Sequence, residues 1–178
     1  YYGALLDAAA AVPPGSDGAM FLPWLRGEHT PVDDPTARAA FVDLHATHTT
    51  AAMTRAVLEG VALNGRWLLK SVEAYIGREM PVVRLLGGGA QSDLWCQVYA
   101  DVLGRPMERV RDPVFAQLRG AALMALVGLG ERTVPETPAC VAIDRRFDPN
   151  ATTTALYSEL FAEFTRLYRS LRRHRRRM

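Results

Sequence analysis

An apolar run, Val82-Val83-Arg84-Leu85-Leu86, leads straight into three glycines, Gly87-Gly88-Gly89, and then into Ala90-Gln91-Ser92-Asp93 and a helical pattern. A strand, a turn and a helix start must therefore follow one another with no slack between them. Glycines at such a junction permit positive φ and let a ligand approach the backbone with no Cβ in the way. The helix start offers unpaired N–H groups and a partial positive charge, which suit phosphate or ribose oxygens. The same geometry also serves as a tight strand-to-helix turn that binds nothing. Spacing removes one alternative, because the P-loop ends in Gly-Lys-Ser/Thr and no lysine stands here. The dinucleotide fingerprint Gly-x-Gly-x-x-Gly fits at Gly87 and Gly89 but meets Ser92 at its sixth position. Asp112 lies about where an acidic ribose partner would stand, so that reading is weakened but stays open.

The rest of the chain alternates in the same way. Residues 5–12 read as a helix end stopped by Pro13-Pro14-Gly15, and 19–25 as a short buried strand. Residues 27–35 form a polar loop. The longest helical pattern runs over 49–76, with Met53, Val57, Val61, Leu68, Val72 and Ile76 on one face. Thr49 or Thr50 can cap its start and Gly77 can end it. Gly60 and Gly65 inside it each cost about 1 kcal/mol relative to alanine, which predicts close packing against another backbone. After the 81–86 strand come a helix over 91–103, a strand over 107–110 and a small-residue helix over 115–129. A strand over 143–147 and a helix from 151 follow, with Leu156, Leu160, Phe164, Leu167 and Leu171 inward. Alternating strands and helices predict an α/β layered domain.

With 178 residues, 49% of them hydrophobic, the chain suits one domain over 1–178 with a sizeable core. Cys96 and Cys140 are far apart in no metal-ligand spacing, which argues against a disulfide framework and for a reducing, cytoplasmic setting. No apolar run reaches the roughly 18 residues of a membrane span. Tyr1-Tyr2-Gly3 reads as a chain cut from something longer. Six arginines (169, 172, 173, 175, 176 and 177) sit in the last ten residues, and removing their charges from the net +2 leaves the body near −4. Residues 165–178 are therefore a basic helix end or tail. A solvated, frayed end is the simpler account, and contact with nucleic acid or an anionic membrane the less favoured one.

The segment from Leu86 to Pro106, beginning Leu86-Gly87-Gly88-Gly89-Ala90-Gln91-Ser92-Asp93-Leu94-Trp95, resembles the adenosine-contacting segment of FGGY-family carbohydrate kinases, nearest the xylulokinase-like members. Other segments agree in the family's order. Phe21-Leu22-Pro23-Trp24-Leu25 with Gly27-Glu28 and Thr30-Pro31 is similar to the loop before the family's Asp-Pro-x-Ala-Arg, here Asp34-Pro35-Thr36-Ala37-Arg38. Arg55-Ala56-Val57-Leu58-Glu59-Gly60-Val61-Ala62 is similar to the second signature, and Arg119-Gly120-Ala121-Ala122-Leu123 to the helix after the nucleotide strand. The likeness covers roughly residues 16–131.

The resemblance implies a ribonuclease-H-like (actin-like ATPase) fold, C-terminal part, with a mixed sheet flanked by helices. It implies ATP-dependent phosphorylation of a sugar or polyol, a xylulose-type pentulose favoured, with this chain supplying the adenosine-binding half. Adenine and ribose contacts then fall on the backbone of Gly88, Gly89 and Ala90, with a side-chain contact at Asp93, where polyol-kinase relatives carry Asn. Taken alone, Asp93 is equally a first-turn carboxylate favoured by the helix dipole. The resemblance places the catalytic carboxylate, the Mg²⁺ ligands and most of the sugar site in a preceding N-terminal domain, so no catalytic residue and no metal ligand is expected here and the chain alone should not turn over. Departures from the pattern are His29 for an arginine, Asp43 for a glycine and Ala52 for a polar residue. Helices lacking their neighbours predict self-association. A noncatalytic interaction or regulatory remnant, and less favoured a dinucleotide-binding oxidoreductase fragment, are the competing readings.

Overall fold

The computed structural model describes residues 2–175. Its organising element is helix α2, Thr50–Ile76, opened by Thr49, whose hydroxyl accepts from the Ala52 amide, and closed by Gly77 at φ 70°. The interior glycine Gly60 explains how α2 meets its neighbours. A Cβ at Gly60 would lie 2.1 Å from the carbonyl oxygen of Phe21, so helix and strand backbones touch there. Phe21 belongs to β1, Met20–Leu22, which pairs antiparallel with β2, Ala40–Val42, a strand too short for the sequence pattern to have signalled. At Gly65 the neighbour is the Tyr99 ring, 3.1 Å from an added Cβ.

The buried face of α2 is not the one marked by Met53, Val57, Val61, Leu68, Val72 and Ile76. Ala52, Arg55, Ala56, Leu58, Glu59, Gly60, Ala62 and Leu63 are buried, whereas Leu68, Val72 and Ile76 remain 37–40% exposed. Hydrophobic periodicity overlooks a face built from small residues and an ion pair. The Glu59 carboxylate accepts from Gly15 N (3.0 Å), Ser16 Oγ (2.8 Å), Arg55 Nε (2.8 Å) and Tyr157 Oη (2.8 Å). One buried charge with four donors thereby ties together the turn after α1 (Tyr2–Ala10), α2 itself and the C-terminal helix. Burial, and next to it the Glu59 charge, push the Tyr157 phenol well above its ordinary pKa.

The main sheet is mixed. Strand β3, Val83–Leu85, runs parallel to β4, Met107–Val110, across helix α3, Asp93–Leu103, and β4 pairs antiparallel with β5, Ile143–Phe147. In register, Val83, Met107 and Phe147 share the face packed under α3, and Arg84, Glu108 and Arg146 share the other, where Arg84 and Glu108 pair at 3.3 Å. Helix α4, Ala116–Gly128, follows β4 and buries none of its residues.

Helix α5, Thr154–Arg175, is held by aromatic residues rather than by the leucines that its pattern suggested. Tyr157, Phe161, Phe164 and Tyr168 are buried, while Leu156, Leu160, Leu167 and Leu171 are half-buried. Trp24 sits 5.2 Å from both the Phe164 and Tyr168 rings, and Trp67 sits 5.1 Å from Tyr168. Each such burial is worth about 1.5–3 kcal/mol. The basic end of α5 is also less free than a frayed terminus. Arg172 and Arg175 approach the buried Asp34 carboxylate at 3.8 and 3.7 Å, and Tyr168 Oη donates to it at 2.9 Å. Of the predicted basic tail, Arg176 and Arg177 lie outside the described residues.

Candidate functional site

The glycine turn stands at the carboxyl end of β3, beside the start of α3. Gly87 has φ 91° and ψ −174°, a conformation open to glycine and costly for any residue with a Cβ. Its N–H donates to Pro113 O at 2.8 Å, which fastens the turn to the segment leaving β4. Gly88–Gln91 form a short 3₁₀ turn whose first bond runs from Ala90 N to Gly87 O. The amides of Gly88 and Gly89 precede that bond and have no partner inside the turn. A Cβ on Gly88 would meet nothing within 4 Å, whereas one on Gly89 would strike the Trp95 ring at 2.7 Å. Gly89 is thus fixed by packing, and Gly88 is the open position.

Ala90 is fully buried. Its N–H is spent on Gly87, and its carbonyl accepts from Cys96 Sγ at 3.4 Å and Arg109 Nη1 at 3.5 Å. Ser92 caps α3 by accepting from Trp95 N at 3.2 Å. Asp93 is the first residue of α3, and both its oxygens face the strands: Oδ1 accepts from Arg109 Nη1 at 2.6 Å, and Oδ2 accepts from Arg145 Nη1. Arg109 also pairs with Asp144 at 2.7 Å. Burial opposes the Arg109 charge, but Asp144 and Asp93 outweigh it and raise the guanidinium pKa above its usual value. Of the four residues expected at the site, Gly88 presents open backbone, Gly89 is packed against the Trp95 ring, Ala90 supports the turn from within, and Asp93 is engaged in a four-membered charge network.

Arg109, Arg145 and Trp95 are the members of the site that sequence reasoning missed. Arg109 had a legible signal: it stands two residues after the buried Met107, on the same face of β4, and so points a charge toward the α3 side. Two small clefts flank the turn. One, of about 200 Å³, is lined by Val61, Leu85, Leu86, Trp95 and Tyr99 with Gly89 and Ala90. The other, of about 110 Å³, lies against α4 between Leu86, Val110, Gly120, Leu123 and Val141, with Ala116 and Arg119 at its rim.

The polar loop 27–35 lies elsewhere. His29 is 86% exposed with its ring nitrogen 3.7 Å from Asp33. Glu28 holds the Thr30 amide at 2.9 Å and Asn64 Nδ2 at 2.7 Å. Asp43 adopts φ 58°, the left-handed region that favours glycine, the residue that the family resemblance implied at this position. Asp112, also left-handed at φ 47°, has its carbonyl bonded to Phe115 N at 3.1 Å. Among the described residues no group of three or more His, Cys, Asp or Glu is placed to hold a metal ion, and no helix is long and apolar enough to cross a membrane.

Comparison with known proteins adds the family. Residues 3–129 match the pattern of the FGGY family of carbohydrate kinases, C-terminal domain. A xylulose kinase of Staphylococcus epidermidis is 32% identical over 167 residues, which cover 93% of this chain and 33% of that protein. A glycerol kinase of Citrifermentans bemidjiense is 36% identical over 144 residues, 81% of this chain and 29% of that one. The crystal structure of ligand-bound xylulose kinase from Lactobacillus acidophilus superposes with a TM-score of 0.82 at 28% identity, over 94% of this chain and 34% of that chain. The chain spans about a third of the length of the curated relatives it matches.

Proposed function

The chain belongs to the FGGY family of carbohydrate kinases as its C-terminal domain, with the α/β, ribonuclease-H-like fold of that family, and on that premise we propose that it supplies the adenosine-binding half of an ATP-dependent sugar or polyol kinase. The observation that carries this is the glycine turn at the carboxyl end of β3, open at Gly88, where the Gly88 and Gly89 amides have no partner inside the turn next to a helix start. Ala90 and Asp93 hold that backbone in place rather than meeting the nucleotide through free groups. A xylulose-type pentulose is the favoured acceptor, since xylulose kinases recur among the relatives, with glycerol kinases beside them.

The phosphoryl-transfer machinery, including the base and the Mg²⁺ ligands, is assigned to the part of the relatives that this chain does not cover. We take residues 1–178 as one domain, because one core cluster runs from Met20 to Tyr168, and we place the protein in the cytoplasm with its family. Self-association is proposed for the exposed apolar face of α4 and its flanks, where Leu118, Met124 and Leu129 are about 70% exposed or more. The family match leaves the dinucleotide-binding oxidoreductase reading without support. The noncatalytic-remnant reading remains the competitor.

Gly88→Val tests the assignment. The position is open and has ordinary φ, so the variant should keep the fold to within about 1 kcal/mol while losing the thermal stabilisation that ATP gives the parent chain. Equal protection of both proteins by ATP would refute the site. The isolated chain should phosphorylate no pentulose, and measurable turnover by it would overturn the division of labour.

A further inference from the structure

The basic end of α5 carries more positive charge than its neighbours answer. Arg166 pairs with Glu163 at 2.6 Å, and Arg172 and Arg175 share the single buried Asp34 carboxylate at 3.8 and 3.7 Å. Neither of the last two is at hydrogen-bond distance, and Asp34 already accepts from the Thr36 amide and hydroxyl and from Tyr168 Oη. Arg175 keeps Nε and Nη2 buried with no hydrogen-bond partner among the described residues. No ion pair among the described residues uses Arg169 or Arg173. Five guanidiniums thus stand against two carboxylates. Arg166, Arg169, Arg172 and Arg173 are spaced three and four apart on one helix, where like charges repel and destabilise it. The helix dipole, worth about half a charge at the C-terminus, offsets part of this and not all.

We propose that this end of α5 is a binding site for a small, multiply charged phosphate compound, an ester or an anhydride. Arg166, Tyr168, Arg169, Arg172 and Arg173 line a cleft of about 530 Å³, within the roughly 300–1,000 Å³ usual for small-molecule sites. None of these residues lines the clefts beside the glycine turn. Guanidinium forks match phosphate oxygens two at a time, and a ligand with several charges relieves the repulsion among the arginines. The surroundings narrow the class. The aromatic face of α5 is buried against Trp24 and Trp67, which leaves the helix no apolar face to lay into a lipid surface. The one aromatic ring of the cleft, Tyr168, is 2% exposed and its hydroxyl is held by Asp34. It offers no platform for the base stacking on which single-stranded nucleic acid sites rely. Phosphate charge is what the cleft is equipped to recognise.

The test is a calorimetric titration of the 178-residue chain with inorganic tripolyphosphate at low ionic strength. It is repeated in the double variant Arg169→Ala/Arg173→Ala and in Gly88→Val. Both arginines are exposed, so the double variant should melt with the parent. Tripolyphosphate should bind the parent and Gly88→Val alike, and about tenfold or more tightly than orthophosphate does. Its affinity should fall about tenfold or more in the double variant. Absence of binding, or equal affinity in the parent and the double variant, overturns the proposal. Loss of binding in Gly88→Val alone also overturns it and puts the phosphate at the glycine turn instead. If phosphatidylglycerol vesicles or duplex DNA bind through the two arginines and tripolyphosphate does not, the patch serves a macromolecule and the proposal falls.

Discussion

Helices α2 and α4 are both rich in small and aliphatic residues, yet one buries eight residues and the other none. Around α2 the contacts are non-local: a strand carbonyl against Gly60, an aromatic ring against Gly65, and a carboxylate collecting donors from residues 15, 16, 55 and 157. Around α4 the ties are local. Arg119 donates to Arg111 O, and the helix ends in backbone turns at 129 and 130. Amphipathic composition therefore says where a helix forms, and the partner surface decides whether it is held. Alterations around α2 should be global in effect, and alterations on α4 should be close to silent for stability.

The sharpest break is expected from Glu59→Gln. Removing one member of a buried ion pair leaves Arg55 buried and uncompensated, which typically costs about 3–5 kcal/mol. Urea unfolding should show that loss, and a cost below 1 kcal/mol would mean that the four donors are satisfied without the charge. Next comes Gly60→Ala. Its Cβ would overlap the Phe21 carbonyl, forcing α2 and β1 apart for about 1–3 kcal/mol or more. If the variant matched the parent in melting temperature, the close approach would be wrong.

A smaller effect separates α5 from the rest by pH. The Asp34 pKa is lowered, first by the Thr36 hydroxyl and, against the cost of burial, also by Tyr168, the Thr36 amide and Arg175. Its unfolded value is about 3.9, so the native state binds fewer protons than the unfolded state just below that pH. The stabilisation is complete above about pH 5 and is lost as pH falls through the lowered folded value. Asp34→Asn should be less stable than the parent at pH 7, with the two curves converging below about pH 4. A gap that persists unchanged at pH 3 would show that the contribution is not ionic. The smallest change is expected on α4, where Leu118→Lys should alter stability by less than about 0.5 kcal/mol while reducing self-association in sedimentation. A large stability loss there would erase the contrast between the two helices.

The same contrast explains what the sequence made legible. Strands at 107–110 and 143–147 and both ends of α2 were readable because local chemistry sets them: Pro106 before β4, the Thr49 cap, the αL Gly77. The buried faces were not readable. Hydrophobic periodicity credits Val57 or Leu160 and gives nothing to Arg55, Glu59 or a tyrosine whose hydroxyl has a buried partner. At the site, the glycines announced the turn, but Arg109 and Arg145 arrive from strands 16 and 52 residues away from Asp93 in sequence. Their meeting is a property of the sheet register, which no local pattern contains.

The Trp95 ring that excludes a Cβ from Gly89 also has a practical consequence. The chain has three tryptophans. Trp24 and Trp67 pack on the aromatic side of α5, and Trp95 alone lies against the glycine turn. The indole emission therefore divides between two places. With Trp24 and Trp67 replaced by phenylalanine, the remaining fluorescence would come from the turn itself, an optical label already built into the one segment whose occupancy matters most.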